Sequence, residues 1–239
     1  MKWPGRAALP LVIAAVTAVA GPAFAQPPGA AGPEPEPAVA QEPAVPGFFR
    51  MDADKLGLSL WAGATHTIGP VQIFSDVVLN GSVAEVDIGP QLTLGNLTLI
   101  LTAAPLFDFA TQDLTGIVAP FLTTIFDHPN VYLESWVLIT FQSPFVEGAE
   151  DLLHTRNFAL FKLTPAVWIG PQVELDYGLA WAEKVTSLPI GGQLNVGYGK
   201  DNRVSLFLGY DAIEHNDPET GEPLASDRLA GRVTFIHLW

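Results

Sequence analysis

Histidines and nearby hydroxyl residues are the groups in this chain that could support metal-dependent or hydrolytic chemistry. The five histidines are His66, His128, His154, His215 and His237. Their spacing matches no metal-ligand motif, and the chain contains no cysteine. It also has no Gly-x-Ser-x-Gly motif, and Thr65-His66-Thr67 is the nearest cluster of a histidine with hydroxyl groups. We therefore predict no catalytic residue, no cofactor and no metal site. A hydrolase stays open as an alternative, because a triad is recognised by its geometry.

Charged residues at alternate positions are a second candidate group. They fall on the polar side of strand-like segments, where side chains of a closed barrel would face the interior. The predicted lumen-lining residues are Asp76, Glu85, Asp87, Glu134, Glu174 and Asp176, with Lys55, Arg203, Arg228 and Arg232 of opposite sign. These charges could pair across a filled interior or line a narrow path that prefers cations. Trp61, Trp136 and Trp168 share this side, which favours an occluded lumen or an apolar ligand site.

Strands must position these residues, because apolar and polar side chains alternate through most of the chain after residue 48. The clearest segment alternates Val86, Ile88 and Leu92 with Glu85 and Asp87. Turn signals recur every ten to fifteen residues, and Asn80-Gly81 predicts a tight hairpin. The pattern predicts an all-β fold, an antiparallel up-and-down transmembrane β-barrel of about ten strands.

The segment 108–130 leaves the strand number open. It could hold a short helix or further strands interrupted by Pro120, and two strands there would give twelve. Eight strands would result if neighbouring segments merged. With ten strands, Asn80-Gly81 and Thr164-Pro165 lie at the same end of the barrel as the chain termini. The longer loops 143–155, 178–187 and 212–227 then lie at the other end.

The N-terminal residues predict export. Residues 1–25 have a basic start, an apolar segment and the cleavage site Ala23-Phe24-Ala25, which together indicate a signal peptide. Residues 26–47 contain seven prolines and predict a disordered linker in the periplasm. Residues 48–239 form the predicted barrel domain. Loss of Lys2 and Arg6 from the 11 basic residues would leave nine against 25 acidic ones, a formal charge of −16. A nucleic-acid partner is not expected for such a chain.

The final segment, Arg228-Leu-Ala-Gly-Arg-Val-Thr-Phe-Ile-His-Leu-Trp239, alternates and ends in an aromatic residue. With the signal peptide and the alternating segments, it resembles the closing strand of bacterial outer-membrane β-barrel proteins. The resemblance implies location in the cell outer membrane, with Phe235 and Trp239 forming the insertion signal for the barrel assembly machinery. It also implies contact with outer-membrane lipid and lipopolysaccharide, and it leaves the oligomeric state open.

Three functions are compatible with this resemblance. The first is a non-enzymatic barrel that acts as a narrow porin-like channel or passes a small ligand. The second is a structural or adhesion barrel that acts through acidic outer loops, because residues 211–227 carry six acidic side chains. The third is a lipid-modifying enzyme of the outer membrane.

Overall fold

The computed structural model describes residues 45–55, 57–179, 185–199, 201–214 and 228–239, and they form β-strands almost throughout. The predicted signal peptide and all but the last residues of the predicted linker lie outside the described residues. Within them, no helix has the length and apolar character needed to cross a membrane. The strands are β1 (Gly47–Asp54), β2 (Gly57–Ile68), β3 (Val71–Asn80), β4 (Val83–Leu94), β5 (Leu97–Asp108), β6 (Asp113–His128), β7 (Val131–Phe141), β8 (Leu152–Lys162), β9 (Val167–Gly178), β10 (Val185–Ser187), β11 (Pro189–Tyr198), β12 (Asn202–Asp211) and β13 (Leu229–Leu238).

Twelve of these strands close into a ring in which every neighbouring pair is antiparallel. Consecutive strands pair from β1 to β9, β9 pairs with β11, and β13 returns to β1. The short strand β10 stays outside the ring and pairs only with the end of β9. The all-β antiparallel barrel is thus confirmed. Its strand number is the alternative of twelve rather than ten.

The first additional strand is β1, which begins one residue inside the predicted linker and closes the ring. It pairs with β2 on one side and β13 on the other. At its start, the Gly47 amide donates to the Trp239 carbonyl at 3.2 Å, and the Trp239 amide donates back at 3.2 Å. The Trp239 ring lies directly over Gly47, in space that a Cβ atom would occupy. Closure leaves no free strand edge in the ring.

The second additional strand is β6, which fills most of the ambiguous segment. Its register shifts against β7 between Val118 and Phe121, around the bulge that contains Pro120. Proline has no amide hydrogen to donate, so a bulge is a position where a strand tolerates it. Val118 and Phe121 both face inward on either side of the bulge, so strict alternation is interrupted there.

The two ends of the barrel differ in the length of their connections. At the end where Gly47 and Trp239 lie, called here the terminal end, the connections are the short segments 69–70, 95–96, 129–130, 163–166 and 199–201. The opposite end, called here the loop end, carries three short connections, 55–56, 81–82 and 109–112, and the longer connections 142–151, 179–184 and 212–228. The expected hairpin after Asn80 is present, with Gly81 at φ 60°. It lies at the loop end, and its predicted placement beside the termini is wrong, because β1 precedes it.

Two similar sequences, Ile88-Gly-Pro-Gln-Leu92 and Ile169-Gly-Pro-Gln-Val173, mark close approaches between strands. A Cβ atom on Gly89 of β4 would clash with the backbone oxygen of Leu101, and one on Gly170 of β9 would clash with that of Ala159. The two strands run in opposite directions along the barrel. The similarity therefore reflects a shared need for glycine at a crowded backbone, not equivalent strands.

We expect Gly170→Ala to destabilise the barrel by about 1–3 kcal/mol, the usual range for an overpacked position. Gly192→Ala is a matched control on the adjacent strand β11, because its Cβ would lie no closer than 3.9 Å to the nearest atom. The control should change stability by less than about 0.5 kcal/mol. Urea titrations of the barrel folded into lipid vesicles measure both values, and equal midpoints would refute the backbone clash.

Charge is sorted completely between the two faces of the ring. Strand pairing places every Asp, Glu, Lys and Arg of the twelve ring strands on the inward side. The outward side is mostly Leu, Ile, Val and aromatic residues, and Ile88 in the middle of β4 is 60% exposed. The few polar outward residues include Ser135, which donates to Asn157 at 2.6 Å. The fold therefore has an apolar exterior and a charged interior.

Candidate functional site

The barrel interior holds most of the predicted lumen-lining residues. By strand pairing, the inward side carries Asp76, Glu85, Asp87, Glu134, Glu174, Asp176, Arg203 and Arg232. Lys55 lies instead in the turn between β1 and β2. Arg228 lies at the loop end, where its guanidinium stacks over the outward ring of Tyr210 at 4.3 Å.

A network of ion pairs crosses the middle of the lumen. Arg50 of β1 binds Asp52 through two hydrogen bonds of 3.1 and 2.8 Å. Arg156 of β8 reaches the same Asp52, with 3.4 Å between Nη1 and Oδ2. Because β8 is not a neighbour of β1 in the ring, this contact spans the interior. We call the residues Arg50, Asp52, Asp54, Arg156, Glu174 and Arg232 the ion-pair network.

The network continues across the interior toward the loop end. Nε of Arg156 lies 3.6 Å from Oε1 of Glu174, and Nη2 of Arg232 donates to Oε2 of Glu174 at 3.1 Å. Arg232 also donates to Asp54 at 3.2 Å. Asp52 and Arg156 are each only 4% exposed, so these charges are stabilised mainly by one another.

Trp136 of β7 completes the obstruction between the two arginines. Its ring lies 4.5 Å from the Arg50 guanidinium and 5.1 Å from that of Arg156. Arg50 also lies over Trp61 of β2, at 5.2 Å. Cation–π contacts of this kind stabilise a desolvated guanidinium. The lumen is therefore narrowed by side chains at mid-height, and no described segment of backbone folds into it.

The half of the terminal end formed by β7 to β9 is filled with aromatic side chains. Tyr132, Phe158 and Leu160 form a buried cluster against which Trp168 packs. Arg203 of β12 lies over the rings of Tyr132 and Trp168, at 5.1 and 5.2 Å. These residues leave little free volume on that side.

The half formed by β1 to β7 contains a cavity of about 640 Å³. It reaches the terminal end, where Pro46, Asp201 and Trp239 border it, and extends inward to Arg50 and Trp136. Its walls are mainly apolar, with Phe48, Phe74, Ile100, Phe121, Ile125, Ile236 and Leu238. Four carboxylates also line it, those of Asp76, Asp87 and Glu134 and that of Asp201 at the terminal end.

The structure also places the histidines and the predicted insertion signal. His66 lies within β2, and its ring is 3.3 Å from the Ser75 hydroxyl. His154 lies 2.6 Å from the Asp176 carboxylate, across β8 and β9. In the described residues, no group of three or more His, Asp or Glu side chains could hold a metal ion.

Phe235 of the predicted insertion signal stacks on Tyr198 on the outward side, with 5.5 Å between ring centres. Most of the acidic loop, residues 215–227, lies outside the described residues.

Sequence reasoning missed Arg50, Asp52 and Arg156, the residues that close the lumen. Arg50 and Asp52 alternate with Phe49 and Met51, a signal that is present in the printed sequence. Arg156 follows directly on residues assigned to a loop. Inward tryptophans were recognised, but the arginines stacked on Trp136 were not.

Comparisons with known proteins agree with this architecture. No protein-family model matches the sequence, and no curated protein matches it. Among solved structures, the NanC porin aligns with a TM-score of 0.51 at 8% identity, over 82% of this chain and 100% of that chain. The COG4313 outer membrane channel from Pseudomonas putida F1 aligns with a TM-score of 0.50 at 8% identity, over 86% of this chain and 100% of that chain. At this identity the likeness concerns the fold, which is that of a small porin-like barrel.

Proposed function

We propose that this chain is a non-enzymatic outer-membrane barrel that passes small solutes through a narrow lumen. The observation that carries the proposal is the sorting of charge, with every charged residue of the ring strands on the inward side. A polar interior inside an apolar shell is what a solute path across a bilayer requires.

The exterior supports location in a membrane. Soluble monomers rarely expose contiguous apolar patches beyond roughly 600 Å². Here apolar outward side chains occur on every strand of the ring, and Ile88, Leu208 and Ile190 are each more than half exposed. Ring strands of 8 to 16 residues are compatible with the roughly 9–11 residues that a tilted strand needs to span a bilayer. Of the two solved structures named above, one is a porin and the other an outer membrane channel, which favours the same location here.

The orientation and partners of the barrel follow from its ends. Short connections would face the periplasm at the terminal end, and the longer loops would face outward. Phe235 and Trp239 would be read by the barrel assembly machinery, and the acidic loop after Asp211 would lie near lipopolysaccharide. The predicted signal peptide would direct the chain into this route.

The interior favours restricted passage of small solutes. The lumen is narrowed by the ion-pair network and Trp136, so only small solutes would pass. The carboxylates of β3 and β4 make the wider, terminal half of the lumen acidic, so cations should enter more readily than anions.

Single-channel recording in planar bilayers tests the proposal. We expect small conductance steps, and a reversal potential in a salt gradient that shows preference for cations. The same preparation unfolded by boiling is the control. Absence of steps from the folded protein would overturn passage and leave a structural barrel. Altered lipid A in mass spectra of an overproducing strain would instead support the enzyme alternative.

A further inference from the structure

The cavity at the terminal end has the size of a site for a small molecule. Its volume of about 640 Å³ falls within the roughly 300–1,000 Å³ typical of such sites. It is bordered by the ion-pair network on its inner side and reaches the terminal end on the other. A molecule entering from that end would pass Asp201 and Trp239 and reach Asp76, Asp87 and Glu134 between apolar walls.

Two of those carboxylates face each other with unsatisfied oxygens. Asp76 of β3 and Asp87 of β4 are directly paired positions. Thr102 donates to one oxygen of Asp87 at 3.0 Å, but Oδ2 of Asp87 and Oδ1 of Asp76 have no hydrogen-bond partner. Asp87 is 1% exposed and lines the cavity. A buried carboxylate oxygen without a donor is costly, which makes the pair a receptor for a donor or a positive charge.

The nearest arginine does not fill this role. Arg50 lines the same cavity, but its Nε and Nη2 atoms donate to Asp52, and its Nη1 atom lies 4.0 Å from Glu134. Four carboxylates, including that of Asp201 at the terminal end, thus share the cavity with one guanidinium that is already hydrogen-bonded to Asp52. The cavity favours an incoming cation and disfavours an anion.

The walls select an organic cation over a metal ion. The rings of Phe48 and Phe74 stack at 5.9 Å and form an aromatic wall. Trp61 and Trp136 already hold the Arg50 cation against their faces, so this site stabilises positive charge on aromatic surfaces. As noted above, the described carboxylates do not form a metal site.

We propose that this cavity binds a small organic cation, with its ammonium group at Asp76 and Asp87 and its apolar body against Phe48 and Phe74. This specifies the solute class of the proposed channel, and it rests on that function only for the claim that the bound molecule passes through. Binding itself requires the folded barrel alone.

Calorimetric titration of the full-length protein in detergent micelles tests the proposal with three probes of similar shape. They are phenethylammonium, neutral 2-phenylethanol and anionic 3-phenylpropionate, each corrected against protein-free micelles. We expect phenethylammonium to bind at least about tenfold more tightly than either of the others. Comparable binding of the neutral alcohol would show that the charge is not recognised and would overturn the proposal.

Substitutions locate the site. Asp76→Asn and Asp87→Asn should each weaken phenethylammonium binding about tenfold or more. Asp113→Asn, an inward carboxylate at the loop end of β6, should leave it unchanged. Heat-modifiable migration in gels reports whether each variant is folded, and the three-probe comparison on the wild type stands if one is not. Unchanged affinity in both folded variants would refute the site.

The same experiments separate this inference from the proposed function. Charge-selective binding without conductance steps would support the cation site and refute the passage of solutes. Conductance steps without charge-selective binding would retain passage and remove the site.

Discussion

Trp136→Ala is expected to raise the single-channel conductance several-fold. The indole contacts both the Arg50 and the Arg156 guanidinium groups, in the middle of the lumen. Its removal frees space at the inner end of the 640 Å³ cavity, which Trp136 and Arg50 border. Conductance depends on the narrowest cross-section, and this is where the described side chains meet across the barrel.

Trp168→Ala is the matched control for this substitution. Trp168 is also inward, but it packs against Tyr132 with 5.5 Å between ring centres and lies near the terminal end, away from the network. Its truncation should change the conductance less than twofold. Equal conductance for the two variants would show that Trp136 does not limit passage.

Asp52→Asn is expected to destabilise the barrel by about 3–5 kcal/mol, the range for removing one partner of a buried ion pair. Asp52 accepts both hydrogen bonds of Arg50 and the cross-lumen contact from Arg156. An amide of the same shape cannot neutralise two buried guanidinium groups. The loss should be measured as the free energy of unfolding in urea, with the barrel in lipid vesicles.

Asp127→Asn supplies the comparison at an exposed site. Asp127 pairs with Lys162 near the terminal end, and the Asp127 side chain is about half exposed. Removing such a pair should cost less than about 1 kcal/mol. The double variant Arg50→Met/Asp52→Asn should lose less stability than the sum of its single substitutions, because neither partner is then left alone. A loss for Asp52→Asn as small as for Asp127→Asn would mean that water, not pairing, solvates the network.

Alternation in the sequence was sufficient to predict the barrel, because a half-apolar strand has a period of two wherever it lies. Alternation failed to predict strands where the period of two is interrupted or where its start was not recognised. In β6 the bulge at Pro120 puts both Val118 and Phe121 inward, which no strict alternation describes. In β1 the alternating residues follow directly on the proline-rich segment, and although they fall within the predicted barrel domain they were assigned to no strand. Because β1 and β6 were not predicted, the predicted barrel had ten strands. The hairpins between β1 and β6 were for the same reason predicted at the wrong end of the barrel.

The sequence predicts which residues line the site, but it does not predict which of them contact one another. Alternation correctly places Asp76 and Asp87 on one side of their strands, and strand pairing then brings them face to face. The contact between Asp52 and Arg156 depends on the height of each residue around a closed ring. That height follows from the register of every intervening strand pair, and no local pattern of residues encodes it.

The sorting of charge also penalises strand pairing in the wrong register. A slip of one residue in any strand would exchange its two faces and move the charges of that strand into lipid. For β8 alone, this would expose Arg156 and Lys162 to the hydrocarbon. Each such residue would cost up to about 2–4 kcal/mol near the bilayer centre. Misaligned barrels are therefore penalised by the membrane itself, so the bilayer discriminates between competing strand alignments before the lumen contacts are complete.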